Sequence, residues 1–156
     1  MKRALIIGSA GQDGSYLSEQ LRAEGCAVVG VDRHTPGCDL LDAGWVSELV
    51  RASACDELFY LAAHHHSSED PSRALGEELL RAQEVHVTGW IHCLEALVSG
   101  RPGARIFYAA SSHVFGEGQG STPALSQCLV TEDTPLSPRS AYAVTKAAGV
   151  EVGRLY

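Results

Sequence analysis

Tyr142 and Lys146 are the two residues whose types and spacing most directly indicate chemistry. They are four residues apart, so on a helix they lie on the same face, one turn from each other. A lysine ammonium close to a phenol favours the phenolate and lowers the phenol's pKa from its ordinary value of about 10. Tyr142 can then act as a general base. The same spacing also occurs in ordinary pairs on helix surfaces, so the rest of the chain has to support the interpretation.

Two serines, Ser111 and Ser112, directly follow the fourth predicted strand. In an open parallel sheet, ligands bind beside the carboxyl ends of the strands. A hydroxyl at that edge can bind the substrate oxygen from which Tyr142 removes a proton. We therefore expect Ser111, Tyr142 and Lys146 to lie in one crevice.

A glycine-rich turn, residues 8–14, follows the first predicted strand and precedes a predicted helix. Gly8 can form the tight turn, Gly11 allows the backbone to approach a pyrophosphate, and Gly14 permits close packing of helix and strand. The N–H groups at the start of the helix can bind the anion. The alternative is a glycine-rich turn without a ligand.

Asp32 ends the second predicted strand, 18 residues beyond Gly14. A carboxylate at this position accepts hydrogen bonds from a ribose 2′-hydroxyl, which favours NAD over NADP. Arg33 follows directly and leaves NADP open, since it can bind a 2′-phosphate or stack on adenine. Asp39 is placed to bind the adenine amino group, with a solvated loop as the alternative.

These residues require elements that bring them to one edge of a sheet. Nearly continuous apolar runs alternate with stretches of helical periodicity, as in parallel strands buried on both faces. The order predicts an α/β fold with a Rossmann-like, doubly wound parallel sheet. The predicted strands are residues 4–7, 27–31, 57–61 and 105–109, and the predicted helices are residues 15–24, 43–52, about 72–98 and from about 139 to 156. Residues 116–138, rich in Gly, Ser, Thr and Pro, are expected to form a functional loop.

The composition is that of a globular domain, with 156 residues, 45% of them hydrophobic and 20% charged. A net charge of −7 with scattered basic residues argues against a nucleic-acid partner. We expect a cytoplasmic protein that does not enter a membrane, because no apolar run reaches roughly 18 residues and no signal-peptide cleavage pattern follows residues 4–7. The cysteines are odd in number and lack a C-x-x-C pair, so we expect reduced, structural thiols at Cys26, Cys38, Cys55, Cys93 and Cys128.

Together these residues resemble the extended short-chain dehydrogenase/reductase family, which includes the nucleotide-sugar epimerases and dehydratases. The similarity covers the whole chain and is carried by the motifs at residues 8–14, 39–40, 61–63, 111–116, 131–135 and 138–146. Within that family, residues 11–17, 138–140 and 142–144 are most similar to the GDP-mannose 4,6-dehydratases.

The resemblance implies a nucleotide-sugar-modifying enzyme in which a tightly held NAD(P) transiently oxidises the sugar at carbon 4. It makes Ser111 the substrate-binding hydroxyl, Tyr142 the base, and Lys146 the partner of the tyrosine and of the cofactor ribose. The expected cofactor is NAD, with NADP as the alternative. The resemblance also places at the cofactor the residues Gln12, Asp13, Leu40, Leu61, Ala62 and Ala63.

Two positions depart from the family pattern. The 4,6-dehydratases usually have Glu two residues after the catalytic Ser or Thr, as the base beside the ketone, and this chain has His113 there. A histidine can act as that base, since its ordinary pKa is about 6.5. A 4-epimerase or ketoreductase, or a non-catalytic NAD(P)-binding module, therefore remains an alternative to the dehydratase. The second departure lies on the long predicted helix, where this chain has His86 at the position of the family's usual Asn.

Three consecutive histidines, His64, His65 and His66, follow the third predicted strand. We do not expect a metal site, because neighbouring side chains in an extended loop point in different directions and no further ligand has suitable spacing. His66 matches a family histidine and is expected beside the cofactor or substrate. His64 and His65 are expected in a solvated loop, and His92 on the helix surface or in the core.

Family members continue past the helix that carries Tyr142 into a C-terminal domain that binds the nucleotide and sugar. We therefore expect residues 1–156 to be an incomplete NAD(P)-binding Rossmann domain whose substrate domain is absent from this chain. The helices at residues 72–98 and 139–156 resemble the pair through which family members dimerise, which predicts a homodimer acting on a nucleotide-sugar substrate.

Overall fold

A computed structural model of the chain describes residues 1–65, 74–116 and 130–156. Strands and helices alternate in it in the predicted order. The strands are β1 (Arg3–Ile7), β2 (Ala27–Val31), β3 (Glu57–Tyr60) and β4 (Arg105–Tyr108). The helices are α1 (Gln12–Ala23), α2 (Ala43–Ser53), α3 (Leu75–Gln83), α4 (Gly89–Gly100) and α5 (Ala141–Leu155). His66, Cys128 and most of the predicted functional loop lie outside the described residues.

The described strands form one parallel sheet in the order β2-β1-β3-β4. The chain crosses from one side of β1 to the other after β2, which is the switch point at which doubly wound sheets bind ligands. Two backbone bonds continue the ladder past the strand ends, from Gly8 N–H to Val31 O and from Leu61 N–H to Ile7 O. The segments after β1 and β3 therefore lie at the same edge, and the predicted fold class is confirmed.

One face of the sheet carries the main apolar core. Leu5 and Leu58 point from the central strands toward α2 and α4, where Val46 and Trp90 are buried against them. Helix α1 packs against β1 and β2 on the other face, where Ile6 is fully buried. The alternation of side chains along each strand lets both faces be covered by helices.

Two of the five cysteines, Cys55 and Cys93, are buried in this core as free thiols. Burial raises the pKa of Cys93 to about 12, so the thiol stays protonated and packs as a small apolar group. Cys26 and Cys38 are also free and half-buried.

The helices differ from the sequence prediction in two respects. Helix α1 begins at Gln12, directly after Gly11, three residues earlier than predicted. The long predicted helix is divided by a π-helical turn, Glu84–Thr88, between α3 and α4. Apolar periodicity does not show a single extra residue in a helical turn, because the stripe on either side continues with little change.

No helix in the described part of the chain combines the length and apolar character needed to span a bilayer.

Candidate active site

In the turn after β1, the backbone approaches the end of β3 so closely that no side chain fits between them. Gly8 has a φ of +94°, and a Cβ there would lie 2.7 Å from Ala62 N. A Cβ on Gly14 would overlap Gly8 O. Gly11 precedes the first residue of α1 with no side-chain cap, so the N–H groups of the first helical turn face an open edge. Gln12 and Asp13 lie exposed in this first turn.

A cleft of about 610 Å³ runs along this edge, across the ends of β1, β2 and β3. Most of the residues predicted to bind the cofactor line it: Gly8, Gly11, Asp32, Arg33, Asp39, Leu40, Leu61, Ala62 and Ala63. Gln12, Asp13 and Gly14 lie beside it at the start of α1. Sequence reasoning did not assign to the cleft Ile7, Ala10, His34, Cys38, Leu41, His64, Glu84 and Val85.

The Asp32 carboxylate is held at the cleft wall by its own loop. Its Oδ1 accepts the His34 N–H at 2.7 Å, and its Oδ2 lies 3.4 Å from the Ser9 hydroxyl. Arg33 is exposed, with its Nε 3.2 Å from His34 Nε2. Asp39 is exposed, and its Oδ1 accepts the Leu41 N–H at 2.8 Å. Burial, with Asp32 and Asp39 nearby, raises the pKa of the Cys38 thiol.

Lys146 is buried at the amino-terminal part of α5. Only 1% of it is exposed, and its Nζ donates to Ala109 O at 2.7 Å. The Nζ lies 5.8 Å from the centre of the Tyr142 ring and 5.0 Å from that of Tyr108. Burial lowers the pKa of Lys146 to about 8, because removal from water disfavours the charged form. The predicted Tyr-Lys pair therefore shares one buried face of α5 beside the end of β4.

Ser111 and His113 approach this pair from the segment after β4. The Ser111 hydroxyl accepts the His113 N–H at 3.2 Å and caps a 3₁₀ turn, Ser112–Phe115. That turn places the His113 ring 6.1 Å from the Tyr142 ring. The neighbouring Ser112 is exposed. The structure thus brings His113 to the Tyr142–Lys146 pair, with Ser111 capping the same turn.

Two further histidines surround the Tyr142 ring. His65 and His86 meet it edge to face, at 5.4 and 5.1 Å between ring centres. His65 was expected in a solvated loop. It is exposed in the loop after β3, and its ring also contacts the phenol. The signal in the sequence was the histidine run itself, but only the position of α5 shows what it contacts.

His64 also differs from the solvated position expected for it. Its side chain is 22% exposed, and its Nε2 lies 3.0 Å from Glu78 Oε1, close enough for an ion pair but not aligned as a hydrogen bond. It lines the cleft, while its neighbour His65 contacts Tyr142. The cleft and the Tyr142 cluster therefore adjoin at the loop after β3. On α4, His92 is half-buried, with its Nδ1 2.8 Å from Leu40 O.

No group of three or more His, Cys, Asp or Glu side chains suited to a metal ion occurs among the described residues.

The fold and the cleft define a class of protein: a Rossmann-like α/β domain with a cleft at the carboxyl ends of its strands and a tyrosine-lysine pair beside the end of β4. Comparison with known proteins agrees with this class. The chain matches the NAD dependent epimerase/dehydratase family over residues 4–156. The chain belongs to that family.

The chain is 32% identical over 175 aligned residues to a GDP-mannose 4,6-dehydratase of Yersinia enterocolitica, covering 94% of this chain and 43% of that protein. It is also 32% identical to GDP-mannose 4,6 dehydratase 2 of Arabidopsis thaliana, covering 94% of this chain and 44% of the relative. The chain therefore spans less than half the length of these curated relatives.

Solved structures share the fold. A short-chain dehydrogenase/reductase superfamily protein from Agrobacterium tumefaciens with bound NAD is 28% identical, has a TM-score of 0.77, and covers 97% of this chain and 44% of its own. The UDP-glucose 4-epimerase of Thermus thermophilus in complex with NAD has a TM-score of 0.80 at 24% identity, covering 99% of this chain and 50% of its own.

Proposed function

We propose that the protein uses bound NAD to oxidise a nucleotide sugar transiently at carbon 4, and that it acts as a lyase of the GDP-mannose 4,6-dehydratase type. The observation that carries this proposal is the cluster of Ser111, Tyr142 and Lys146 beside the cleft. A module that only binds a dinucleotide has no use for a buried ammonium next to a phenol. The names of the curated relatives support the choice of substrate.

The residues around the cleft fit a dinucleotide. The glycines let the turn fold tightly against Ala62 and against itself, where a Cβ on Gly8 or Gly14 would clash with backbone. The start of α1 would then offer N–H donors to a pyrophosphate. Asp32 would bind the ribose hydroxyls, and its charge opposes a 2′-phosphate, which supports NAD over NADP. Leu40, Asp39 and Arg33 would surround the adenine, and Leu61, Ala62 and Ala63 would form the opposite wall. NAD held by these residues would supply the hydride acceptor for the oxidation and the hydride donor for its reversal.

The cluster provides the proton transfers of this oxidation. Ser111 donates a hydrogen bond to the sugar 4-oxygen, and Tyr142 accepts the proton of the 4-hydroxyl. Lys146 stabilises the phenolate by its charge; with a pKa of about 8 it is mostly protonated at neutral pH. Oxidation makes the hydrogen at the carbon next to the ketone acidic. His113 is the group we propose as the base that removes this hydrogen, because its ring adjoins Tyr142. The 6-hydroxyl then leaves as water, and the hydride returns to carbon 6.

The direct test is product analysis with NAD and a panel of nucleotide sugars. The intact mass of the purified polypeptide is measured first, so that the length of the assayed chain is known. We expect a 4-keto-6-deoxy sugar from GDP-mannose and no product from Tyr142→Phe. His113→Ala is expected to retain oxidation at carbon 4, seen as reduced-nicotinamide absorbance, and to lose elimination.

His113 in place of the family's usual Glu favours a second candidate, a 4-epimerase or ketoreductase of the same family. In that case His113→Ala changes neither oxidation nor product, and the product is a sugar inverted at carbon 4 or a reduced sugar. Binding of NAD without reduced-nicotinamide absorbance on any nucleotide sugar would contradict both activities and leave a non-catalytic module.

We also propose that residues 1–156 form an NAD(P)-binding domain and that a separate substrate domain supplies the selectivity for the sugar. We further propose that the protein is a homodimer. The support for the dimer is a set of apolar side chains exposed on α3, α4 and α5: Leu75, Leu80, Val98, Val144 and Leu155. Sedimentation at several concentrations is expected to give a dimer mass, and Leu80→Asp is expected to lower the dimer fraction.

A further inference from the structure

His86 is completely buried, yet both nitrogens of its ring have polar partners. The backbone N–H of His64 lies 3.0 Å from Nε2, and the Thr145 hydroxyl lies 2.8 Å from Nδ1. A backbone N–H can only donate, so Nε2 must be an acceptor and the single proton of the neutral ring must be on Nδ1. The ring therefore donates from Nδ1 to Thr145 Oγ1.

The Thr145 hydroxyl continues this order of donors into helix α5. Its Oγ1 lies 2.9 Å from Ala141 O and 3.1 Å from Tyr142 O, and both carbonyls can only accept. Each hydrogen bond from the loop after β3, through His86, to the first turn of α5 thus has a defined direction. A second proton would have to bind Nε2, where it would point at the His64 N–H and break that hydrogen bond. Burial, with Lys146 nearby, lowers the pKa of His86 to about 3.

The backbone that carries His86 is held as well. Its π-helical turn, Glu84–Thr88, is an uncommon geometry that is found frequently at functional sites. Two tyrosine hydroxyls from neighbouring strands donate to carbonyls of this turn, Tyr60 to Val85 O and Tyr108 to His86 O at 3.0 Å. The sheet therefore fixes the position of the turn from which the imidazole reaches α5.

The same ring contacts the phenol of Tyr142. The two ring centres are 5.1 Å apart with an interplanar angle of 89°, so the imidazole meets the phenol edge to face. His86 thus touches α5 twice, at the Tyr142 ring and at the hydroxyl that binds the Tyr142 carbonyl. On its other side it holds His64, a residue of the cleft wall.

We propose that His86 is a positioning residue whose neutral, Nδ1-protonated ring ties the loop after β3 to helix α5 and so sets the Tyr142 phenol against the cleft. The effect on catalysis rests on the proposed function, whereas the tautomer and the bridge rest on the geometry alone. Having His86 where the family usually has Asn therefore changes how the proposed base, Tyr142, is held.

The bridge is tested first without any substrate. Long-range nitrogen-proton correlation spectra of the ¹⁵N-histidine-labelled protein, with His86→Asn used to assign the signal, are expected to show His86 as the Nδ1–H tautomer. We expect that signal to stay unchanged from about pH 5 to 8, since the ring remains neutral there. An Nε2–H tautomer, or titration within that range, would overturn the proposal.

The catalytic effect is tested with Thr145→Val, which removes the hydroxyl that His86 binds and keeps the side-chain shape. We expect kcat for sugar oxidation to fall about tenfold, the order expected when a base is displaced by a fraction of an ångström. KM is expected to change less than roughly twofold, and the acid limb of the kcat–pH profile to move. His86→Asn is expected to behave similarly, and the two changes together to cost less than their sum.

Ser53→Ala is the matched control, because Ser53 is a buried hydroxyl that donates to Val50 O within α2, away from the cluster. It is expected to leave the pH profile unchanged. If Thr145→Val and His86→Asn lower thermal stability as Ser53→Ala does and share the wild-type pH profile, His86 is only structural and the proposal is wrong. If the wild-type protein oxidises no nucleotide sugar, the proposed function fails, and the tautomer measurement alone decides whether the bridge exists.

Discussion

The turn after β1 takes its shape from close contacts of backbone alone, whereas Tyr142 and Lys146 are held by contacts with several separate elements. In the turn, the absence of a Cβ at Gly8 and Gly14 lets the chain fold back on β3 and on itself. The positions of Tyr142 and Lys146 depend on the Ala109 carbonyl and on the hydrogen bond between His86 and Thr145. Ala109 and His86 lie far from helix α5 in the sequence.

This difference predicts opposite sensitivities in the two regions. The turn has no room for added atoms at Gly8 and Gly14, but its shape does not depend on contacts made by a particular side chain. The Tyr142 cluster contains a buried ammonium and buried hydrogen bonds, so it responds to the loss of polar atoms and to pH.

Gly14→Ala is expected to disrupt the turn. Its Cβ would overlap the backbone of Gly8 and Ser9, which cannot move without displacing the turn, so we expect a loss of about 3 kcal/mol of stability and of NAD binding. Urea unfolding and NAD titration measure the two effects.

Gly76→Ala is the control, because Gly76 is also helical and has nothing within 4 Å of a built Cβ. There the alanine is expected to stabilise the protein by up to about 1 kcal/mol, since it is the better helix former. Equal effects at the two positions would contradict the claim that the turn is limited by space.

Lys146→Met is expected to stabilise the fold at pH 7 while abolishing sugar oxidation. The folded chain holds the Lys146 proton less tightly than the unfolded chain, because the pKa is about 8 against an ordinary value of 10.5. Between these two values the unfolded chain binds more protons, so wild-type stability rises with pH in that window. We expect a gap of about 3 kcal/mol below pH 8 that closes as the pH approaches 10.5.

Lys2→Met provides the comparison for this measurement, since Lys2 is exposed. Its stability is expected to match that of the wild type across the same pH range. A gap for Lys146→Met that stays constant with pH would show that the lysine proton is not the cause.

Asp32→Asn is expected to weaken NAD binding about tenfold and to narrow the preference over NADP, because a charged acceptor for the ribose hydroxyls is lost. The amide can still accept the His34 N–H, so the loop is expected to remain folded. Asp39→Asn tests the adenine-binding role of the second carboxylate, and a larger loss there than at Asp32 would reverse our assignment. Titration with both dinucleotides measures this effect.

Tyr108→Phe is expected to cost about 1 kcal/mol, because it removes the hydroxyl that donates to His86 O in the π-helical turn. Tyr16→Phe, at a tyrosine that is 66% exposed, is expected to change stability little. A calorimetric comparison of the three proteins is sufficient, and equal melting temperatures would show that the π-helical turn does not need this bond.

The regions that sequence reasoning predicted well are those whose geometry is local. The glycine spacing at residues 8–14 and the acid at the end of β2 identified most of the cleft, because turn, strand and helix start are contiguous in the chain. The start of α1 was placed three residues late, since Gly11, a weak helix former, precedes the helix without a capping side chain. The π-helical turn was missed because its cause, the hydroxyls of Tyr60 and Tyr108, comes from distant strands.

The histidines show the same limit. The sequence indicated that His113 and His86 depart from the family pattern, and it indicated nothing about their contact with Tyr142. His64 and His65 were expected in a solvated loop, and of the two His64 is half-buried instead. Their actual neighbours are Glu78 and Tyr142, which the folding of α3 and α5 onto the end of β3 brings to them.

The sequence by itself determined the alternation of strands and helices, the glycine-rich turn after β1, the Asp32 carboxylate at the end of β2 and the Tyr-Lys pair, because each depends on residue spacings within one element or between two adjacent ones. Only the tertiary structure decided that Lys146 is buried against Ala109, that three imidazoles surround the phenol, and that His86 carries its proton on Nδ1. These features depend on which side chains meet across the ends of β3, β4 and α5, and packing between segments far apart in the chain sets both their distances and their protonation.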